Sequence, residues 1–142
     1  MKIFILEDNK IKLENIVKVL KERYPEDLEI ETSEFINQGL CKIFEEDFDL
    51  IILDNNLPRF TDKRNDIETD VCKYVLEYMY FEDYFVPAIL CSSCDSPDIK
   101  KNLESLSEKF SNCLGLVDYK IGSDDWKKDL IKLIDKYENY TI

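Results

Sequence analysis

LIIL, residues 50 to 53, is an unbroken apolar run, and it constrains the fold more than any other stretch of the sequence. A run of this length without polar alternation is typical of a strand that is covered on both faces, as in a parallel sheet. Asp54 follows the run directly. The predicted strand therefore carries a carboxylate at its carboxyl end.

The rest of the chain repeats a strand followed by a helix. Short apolar or alternating segments at 2–6, 28–32, 86–91 and 114–119 are predicted strands, and apolar residues at spacings of three and four between them predict helices. Strands joined by helices run parallel, so we expect an open α/β sheet of five strands with helices on both faces. The predicted inner faces of the five helices contain Leu13, Ile16, Val17, Leu20 and Tyr24; Ile36, Leu40, Ile43 and Phe44; Val71, Cys72, Val75, Leu76 and Met79; Ile99, Leu103, Leu106 and Phe110; and Trp126, Leu130, Ile134 and Tyr137.

Composition limits the class of protein. With 142 residues and 44% hydrophobic residues, the chain is long enough for one sizeable core, and we expect one domain over 1–142 with its core ending near residue 138. A net charge of -12 disfavours direct binding to nucleic acid. No stretch approaches the roughly 20 apolar residues of a membrane span. An odd number of cysteines, 5, and the lack of an export signal predict a reduced, cytoplasmic protein.

Polar side chains follow four of the predicted strands, at the edge where ligands bind in open parallel sheets. Crowded carboxylates suit Mg²⁺, and a carboxylate beside the metal can attack phosphorus to give an acyl phosphate. The three oxygens of the phosphoryl group would then contact the metal, a lysine, and a serine hydroxyl together with backbone N–H groups. The residues after the strands are Glu7, Asp8 and Asn9; Asp54, Asn55 and Asn56; Ser92 and Ser93; and Lys120.

The fragments LEDN, LIILDNNLP, PAILCSS and DYKI, in this order, resemble the receiver domain of bacterial two-component response regulators, the CheY-like superfamily. The resemblance covers nearly the whole chain. It implies a flavodoxin-like (βα)5 fold with strand order 2-1-3-4-5, and phosphorylation of Asp54 by a kinase phosphohistidine. It also implies a Mg²⁺ site formed by Asp8, Asp54 and the backbone carbonyl of Asn56, with Glu7 acting through water. Ser92 would be the switch hydroxyl and Lys120 the lysine that pairs with the phosphoryl group.

The resemblance also implies partners, namely a sensor histidine kinase or phosphotransfer protein and a downstream protein target. The fifth helix is predicted to end near Tyr137, so we expect a stand-alone receiver without an output domain, and no enzymatic activity beyond its own phosphorylation and dephosphorylation. Several features depart from the family pattern, among them Ile121, which follows Lys120 where proline is usual, Val117, which stands where many receivers have an aromatic, and the longer charged loop at 59–69. The output surface implied by the family would contain Lys100, Lys101, Glu104, Asp118 and Lys127.

Other functions remain open from the sequence. One is a receiver-like interaction module that works without phosphorylation. Another is a small Mg²⁺-dependent phosphohydrolase, which would require an acid two residues after the nucleophile, where Asn56 stands. CSSC, residues 91 to 94, has redox or metal-site spacing, but no second pair or histidine completes a zinc site. Glu7, Asp8 and Asn9 also fit the simpler role of capping the first helix.

Overall fold

Five parallel strands form the central sheet of the computed structural model, which describes residues 1–140. The strand order is β2-β1-β3-β6-β7, and each neighbouring pair is parallel. The predicted order 2-1-3-4-5 is confirmed, because β6 and β7 are the fourth and fifth strands of this sheet. Residues 141 and 142, which the predicted single domain includes, lie outside the described residues. In chain order the elements are β1 Lys2–Leu6, α1 Lys10–Arg23, β2 Glu29–Ser33, α2 Ile36–Glu45, β3 Leu50–Leu53, β4 Leu57–Pro58, a short 3-10 helix Thr61–Lys63, β5 Ile67–Glu68, α3 Val71–Phe81, β6 Ala88–Ser92, α4 Pro97–Lys109, β7 Cys113–Asp118 and α5 Asp125–Tyr140.

Two hydrophobic cores cover the two faces of the sheet. Alternate residues of a strand point to opposite faces, so each central strand contributes to both cores. In β3, Leu50 and Ile52 pack with α1 and α5, whereas Ile51 and Leu53 pack with α2, α3 and α4. All four side chains are at most 1% exposed. This double burial explains why LIIL shows no polar alternation.

Most predicted helix faces are buried, but Phe44 of α2 is 37% exposed, and α4 and α1 also depart from the prediction. Ile99 was expected to face inward but is 38% exposed, because it lines an open groove between α3 and α4. In α1 the buried residues include Lys12 and Val19, while the predicted Leu13 and Val17 are only half-buried. The inner face of α1 is therefore rotated relative to the prediction, and it begins with a lysine.

The predicted charged loop at 59–69 forms the turn and the second strand of a small hairpin. Strand β4 pairs with β5 in antiparallel fashion, with Leu57 opposite Glu68 and Pro58 opposite Ile67. The charged side chains of this segment also bind each other and the connection before α2, since Arg59 pairs with Glu68 at 2.7 Å and Arg64 pairs with Glu34 at 3.3 Å. The segment is therefore an ordered extension beside the end of β3.

None of the helices within residues 1–140 is both long enough and apolar enough to cross a membrane.

Candidate functional site

Asp54 lies at the carboxyl end of β3 and is 8% exposed. Its backbone N–H donates to the carbonyl of Leu6 at 3.1 Å, which continues the pairing with β1 beyond the strand. Its Oδ1 accepts from the N–H of Asn55 at 2.8 Å and from Nζ of Lys12 at 3.2 Å. The carboxylate is thus held by its own turn and by a side chain from α1.

Glu7 and Asp8 follow β1, the neighbour of β3, as predicted. Carboxylate oxygens of Glu7, Asp8 and Asp54 all lie within 4.8 Å of one another. Glu7 is 2% exposed, and its Oε2 accepts from the N–H groups of Asp8 and Asn9 at 3.1 and 3.2 Å. The structure therefore brings the three predicted carboxylates together at one edge of the sheet.

Lys12 supplies a positive charge inside this cluster. Its Nζ lies 2.6 Å from Oε1 of Glu7 and 3.2 Å from Oδ1 of Asp54, and it donates to the carbonyl of Cys91 at 2.7 Å. An ammonium has three N–H groups, and these three acceptors match them. The residue is 5% exposed. The sequence interpretation missed Lys12 entirely.

The position of Lys12 follows from the geometry of α1. Asn9 caps the helix by accepting from the N–H of Lys12 at 3.0 Å, which places Lys12 in the first turn. Lys12 is four residues before Ile16 and eight before Leu20, both fully buried, so it shares their face. This spacing is the signal in the sequence that would have identified Lys12 as an inward-facing lysine.

Burial and mutual charge shift the pKa values of these groups. Burial, followed by the charge of Asp54, raises the pKa of Glu7 to about 7, although the Lys12 ammonium opposes this effect. Burial and the charge of Asp54 also raise the pKa of Asp8. Burial opposes the charged form of Lys12, but the carboxylates of Asp54 and Glu7 outweigh it, and the net pKa of Lys12 is raised. Lys12 therefore stays an ammonium.

Ser92 ends β6, the other neighbour of β3, and is 1% exposed. Its carbonyl accepts from the N–H of Tyr119 at 3.0 Å, but its hydroxyl has no hydrogen-bond partner among the atoms of the described residues. Asn56 is exposed, two residues after Asp54. Asn55 has a structural role, because its Oδ1 accepts from the N–H of Cys72 at the start of α3.

Lys120 does not reach Asp54 in this structure. Its side chain is 68% exposed, and its Nζ lies 3.7 Å from Oδ2 of Asp118. Strand alternation explains the difference, because Val117 and Tyr119 are the inward residues at the end of β7, at 0% and 4% exposure, and Lys120 follows on the outside. The Tyr119 ring contacts the site instead, with its centroid 5.4 Å from Nζ of Lys12. The role of Lys120 as a partner of the phosphoryl group stays a prediction.

The carboxylate cluster fits a hard divalent cation. Glu7, Asp8 and Asp54 offer closely spaced oxygen ligands of the kind that Mg²⁺ prefers. With all three ionised, the single ammonium of Lys12 leaves a net charge of two negatives in the cluster. The donor set therefore retains an attraction for a cation beyond the one that Lys12 supplies.

The CSSC segment lacks the features of a reactive pair. Burial raises the pKa of the Cys91 thiol to about 12, and burial together with Asp118 raises that of Cys94 to about 11. Reactive cysteines instead have lowered pKa values and are partly exposed. All five cysteines are free thiols in the structure.

Comparison with solved structures places this fold among receiver domains. The chemotaxis response regulator CheY4 of Vibrio cholerae is 18% identical, with a TM-score of 0.64 over 93% of this chain and 97% of that one. A response regulator receiver domain protein from Clostridium thermocellum is 17% identical, with a TM-score of 0.64 over 99% and 95%. A CheY-like receiver domain protein from Methanospirillum hungatei JF-1 is 19% identical, with a TM-score of 0.64 over 98% and 97%. The chain therefore has the fold of response regulator receiver domains, as the sequence resemblance predicted.

No family model matches the sequence, and no curated protein matches it. The similarity to known proteins is therefore one of fold, and the residues of the site carry the information about function.

Proposed function

We propose that this protein is a single-domain response regulator that accepts a phosphoryl group on Asp54 and passes the signal on by binding another protein. The observation that carries the proposal is the position of Asp54. It is a buried carboxylate at the end of the central strand, with carboxylate oxygens of Glu7 and Asp8 within 4.8 Å, in a chain with the receiver fold. Placing three acids together is unfavourable without opposite charge, and the one ammonium present, that of Lys12, compensates only one of them.

The proposed chemistry is phosphoryl transfer from a kinase or phosphotransfer protein. A carboxylate oxygen of Asp54 attacks the phosphorus of a phosphohistidine, the new P–O bond forms as the P–N bond breaks, and the histidine nitrogen takes up a proton. Lys12 offsets part of the repulsion between Asp54 and the incoming anionic group, since its Nζ lies 3.2 Å from the carboxylate. Asp8, Asp54 and the carbonyl of Asn56 would hold Mg²⁺, with Glu7 acting through water. When bound, the metal supplies positive charge to the transferring oxygens.

Ser92 is the proposed donor to the phosphoryl group. An unpaired buried hydroxyl costs about 1–3 kcal/mol, and an arriving phosphoryl oxygen would relieve that cost. Because this new hydrogen bond is favourable, we expect the Ser92 hydroxyl to move toward Asp54 when Asp54 is phosphorylated. Lys120 would contribute only if its exposed side chain turned inward.

The proposed partners are a sensor histidine kinase or phosphotransfer protein and a downstream protein in the cytoplasm. Lys100, Lys101 and Glu104 are exposed on α4, where they can contact such a partner. Asp118 is less suited to this role, because its Oδ1 accepts from the N–H of Cys94 within the fold. We place the protein among signalling domains and not among enzymes that turn over an external substrate.

Incubation with acetyl phosphate and Mg²⁺, followed by intact mass spectrometry, tests the proposal. We expect one added phosphoryl group that hydroxylamine removes, as an acyl phosphate requires. Asp54→Asn should abolish the addition, and Asp62→Asn, in the exposed part of the 59–69 segment, should leave it unchanged. An acid-stable adduct, or an adduct that persists in Asp54→Asn, would contradict phosphorylation of Asp54.

One observation favours a second function, a receiver-like module that binds its partner without phosphorylation. The Lys12 ammonium already pairs with Asp54, so part of the negative charge that a metal would balance is balanced internally. Absence of any adduct with acetyl phosphate and with a phosphorylated phosphotransfer protein would support this second function over the first.

A further inference from the structure

We infer that Lys12 is a resident cation of the Asp54 site, which competes with a divalent metal for the carboxylates and sets the metal affinity of the site. The inference rests on the metal site of the proposed function and adds a residue to it. It assigns to α1 a role that neither the sequence resemblance nor the fold gives to any residue of that helix.

The Lys12 ammonium is held at the cluster by three short contacts. Its ammonium touches one oxygen of Glu7 at 2.6 Å and one of Asp54 at 3.2 Å. A carbonyl of β6, that of Cys91, fixes the third N–H at 2.7 Å. Two of the three carboxylates that a metal would use are therefore already engaged by a fixed positive group.

The placement of Lys12 is unfavourable unless the carboxylates compensate for it. A buried ammonium loses its hydration, and a positive charge in the first turn of a helix opposes the helix dipole. Lys10 lies in the same turn but is exposed to solvent, so the turn does not itself require a buried lysine. The stabilisation of Lys12 must come from Glu7 and Asp54, which implies that the ammonium and a metal draw on the same charges.

Competition follows from electrostatics. An ammonium within about 5 Å of a bound divalent cation repels it, and in a partly buried site with an effective dielectric constant near 20 this repulsion corresponds to more than a tenfold change in affinity. When Mg²⁺ binds, either the ammonium moves away from Asp54, or it stays and the repulsion lowers the affinity for the metal. In both cases the metal binds more weakly than it would to the same carboxylates without Lys12.

The test is Mg²⁺ binding by isothermal titration calorimetry to the wild type, Lys12→Met and Lys10→Met. Methionine keeps an unbranched side chain of similar length and removes the charge. We expect Lys12→Met to bind Mg²⁺ about tenfold more tightly or better. Lys10→Met, which makes the same change in net charge at an exposed position of the same turn, should differ from the wild type by less than about twofold.

A second measurement needs no variant and covers the case in which Lys12→Met fails to fold. In wild-type protein with ¹³C-labelled lysine, saturation with Mg²⁺ should shift the side-chain Cε signal of Lys12 and leave that of Lys10 in place. A Lys12 signal that stays unchanged while the metal binds would overturn the inference.

The outcomes separate the inference from the function on which it rests. If the wild type and Lys12→Met bind Mg²⁺ equally, or Lys12→Met binds it more weakly, the competition is wrong and the metal site stands. If neither protein binds Mg²⁺, the metal site of the proposed function fails, and the competition with it. Binding by Lys12→Met alone would be the strongest form of the expected result.

Discussion

Lys12 and Lys120 lie at the same edge of the sheet, and their surroundings are opposite. Lys12, at the start of α1, is 5% exposed and contacts two carboxylates and a carbonyl. Lys120, after β7, has a side chain that is 68% exposed, and its Nζ lies 3.7 Å from Oδ2 of Asp118. The sequence resemblance assigns a site lysine to the second region, and the structure shows a further lysine, buried among the carboxylates, in the first.

The difference lies in what occupies the inward position at each end of the sheet edge. At the end of β7 the inward position is taken by Tyr119, whose ring packs on Trp126 with centroids 4.9 Å apart. The Tyr119 hydroxyl accepts from Asn15 at 3.1 Å and the tyrosine brings no positive charge, while the neighbouring Lys120 faces solvent. The charge comes instead from α1, whose first turn passes over Asp54 and Cys91.

The largest expected difference between the two lysines is in the free energy of unfolding when each is replaced by methionine. Lys12→Met leaves Glu7 and Asp54 buried without their counter-charge, and removing one partner of a buried ion pair typically costs about 3–5 kcal/mol. Lys120→Met removes an exposed pair, which is worth at most about 1 kcal/mol. Urea unfolding in Mg²⁺-free buffer should therefore separate the two variants clearly. Equal losses of unfolding free energy would show that Lys12 is not the buried partner of the cluster.

A smaller effect tests the inward position of Tyr119. Its hydroxyl accepts from Nδ2 of Asn15 at 3.1 Å, on the same helix as Lys12. Tyr119→Phe keeps the ring over Lys12 and removes this hydrogen bond, so we expect a loss of about 1 kcal/mol in the free energy of unfolding. Tyr80→Phe is the matched control, because Tyr80 is 57% exposed. A loss for Tyr119→Phe no larger than that of the control would contradict the proposed link between β7 and α1.

Much of the fold could be predicted from the sequence because the signals are local. LIIL is buried on both faces, and the helices repeat apolar residues at spacings of three and four, so the alternation and the parallel sheet followed directly. The β4–β5 hairpin was missed because each strand has two residues, too few for a periodic pattern. Ile99 has the right spacing to be buried, but spacing does not reveal that it lines an open groove.

The site could be predicted only in part, for a related physical reason. Glu7, Asp8 and Asp54 were found because each follows a recognisable strand, and parallel strands bring their carboxyl ends together. Lys12 was missed because a lysine in an amphipathic helix usually faces solvent, and only its register with Ile16 and Leu20 indicates otherwise. Lys120 was placed by resemblance, and one position of strand register decides whether a side chain faces the site or the solvent.

The most direct test of Asp54 as the phosphoacceptor and of Lys12 as a cation of its site uses beryllofluoride, a mimic of the phosphoryl group, on Mg²⁺-saturated protein with ¹³C-labelled lysine and ¹⁵N-labelled backbone. We predict that the mimic binds at Asp54, shifts the Cε signal of Lys12 and the amide signal of Ser92, and leaves the Cε signal of Lys120 in place. Asp54→Asn should remove every one of these shifts. A response at Lys120 with none at Lys12 would contradict the assignment of Lys12 as the ammonium of the site, and no response in the wild type would contradict the phosphoacceptor role of Asp54.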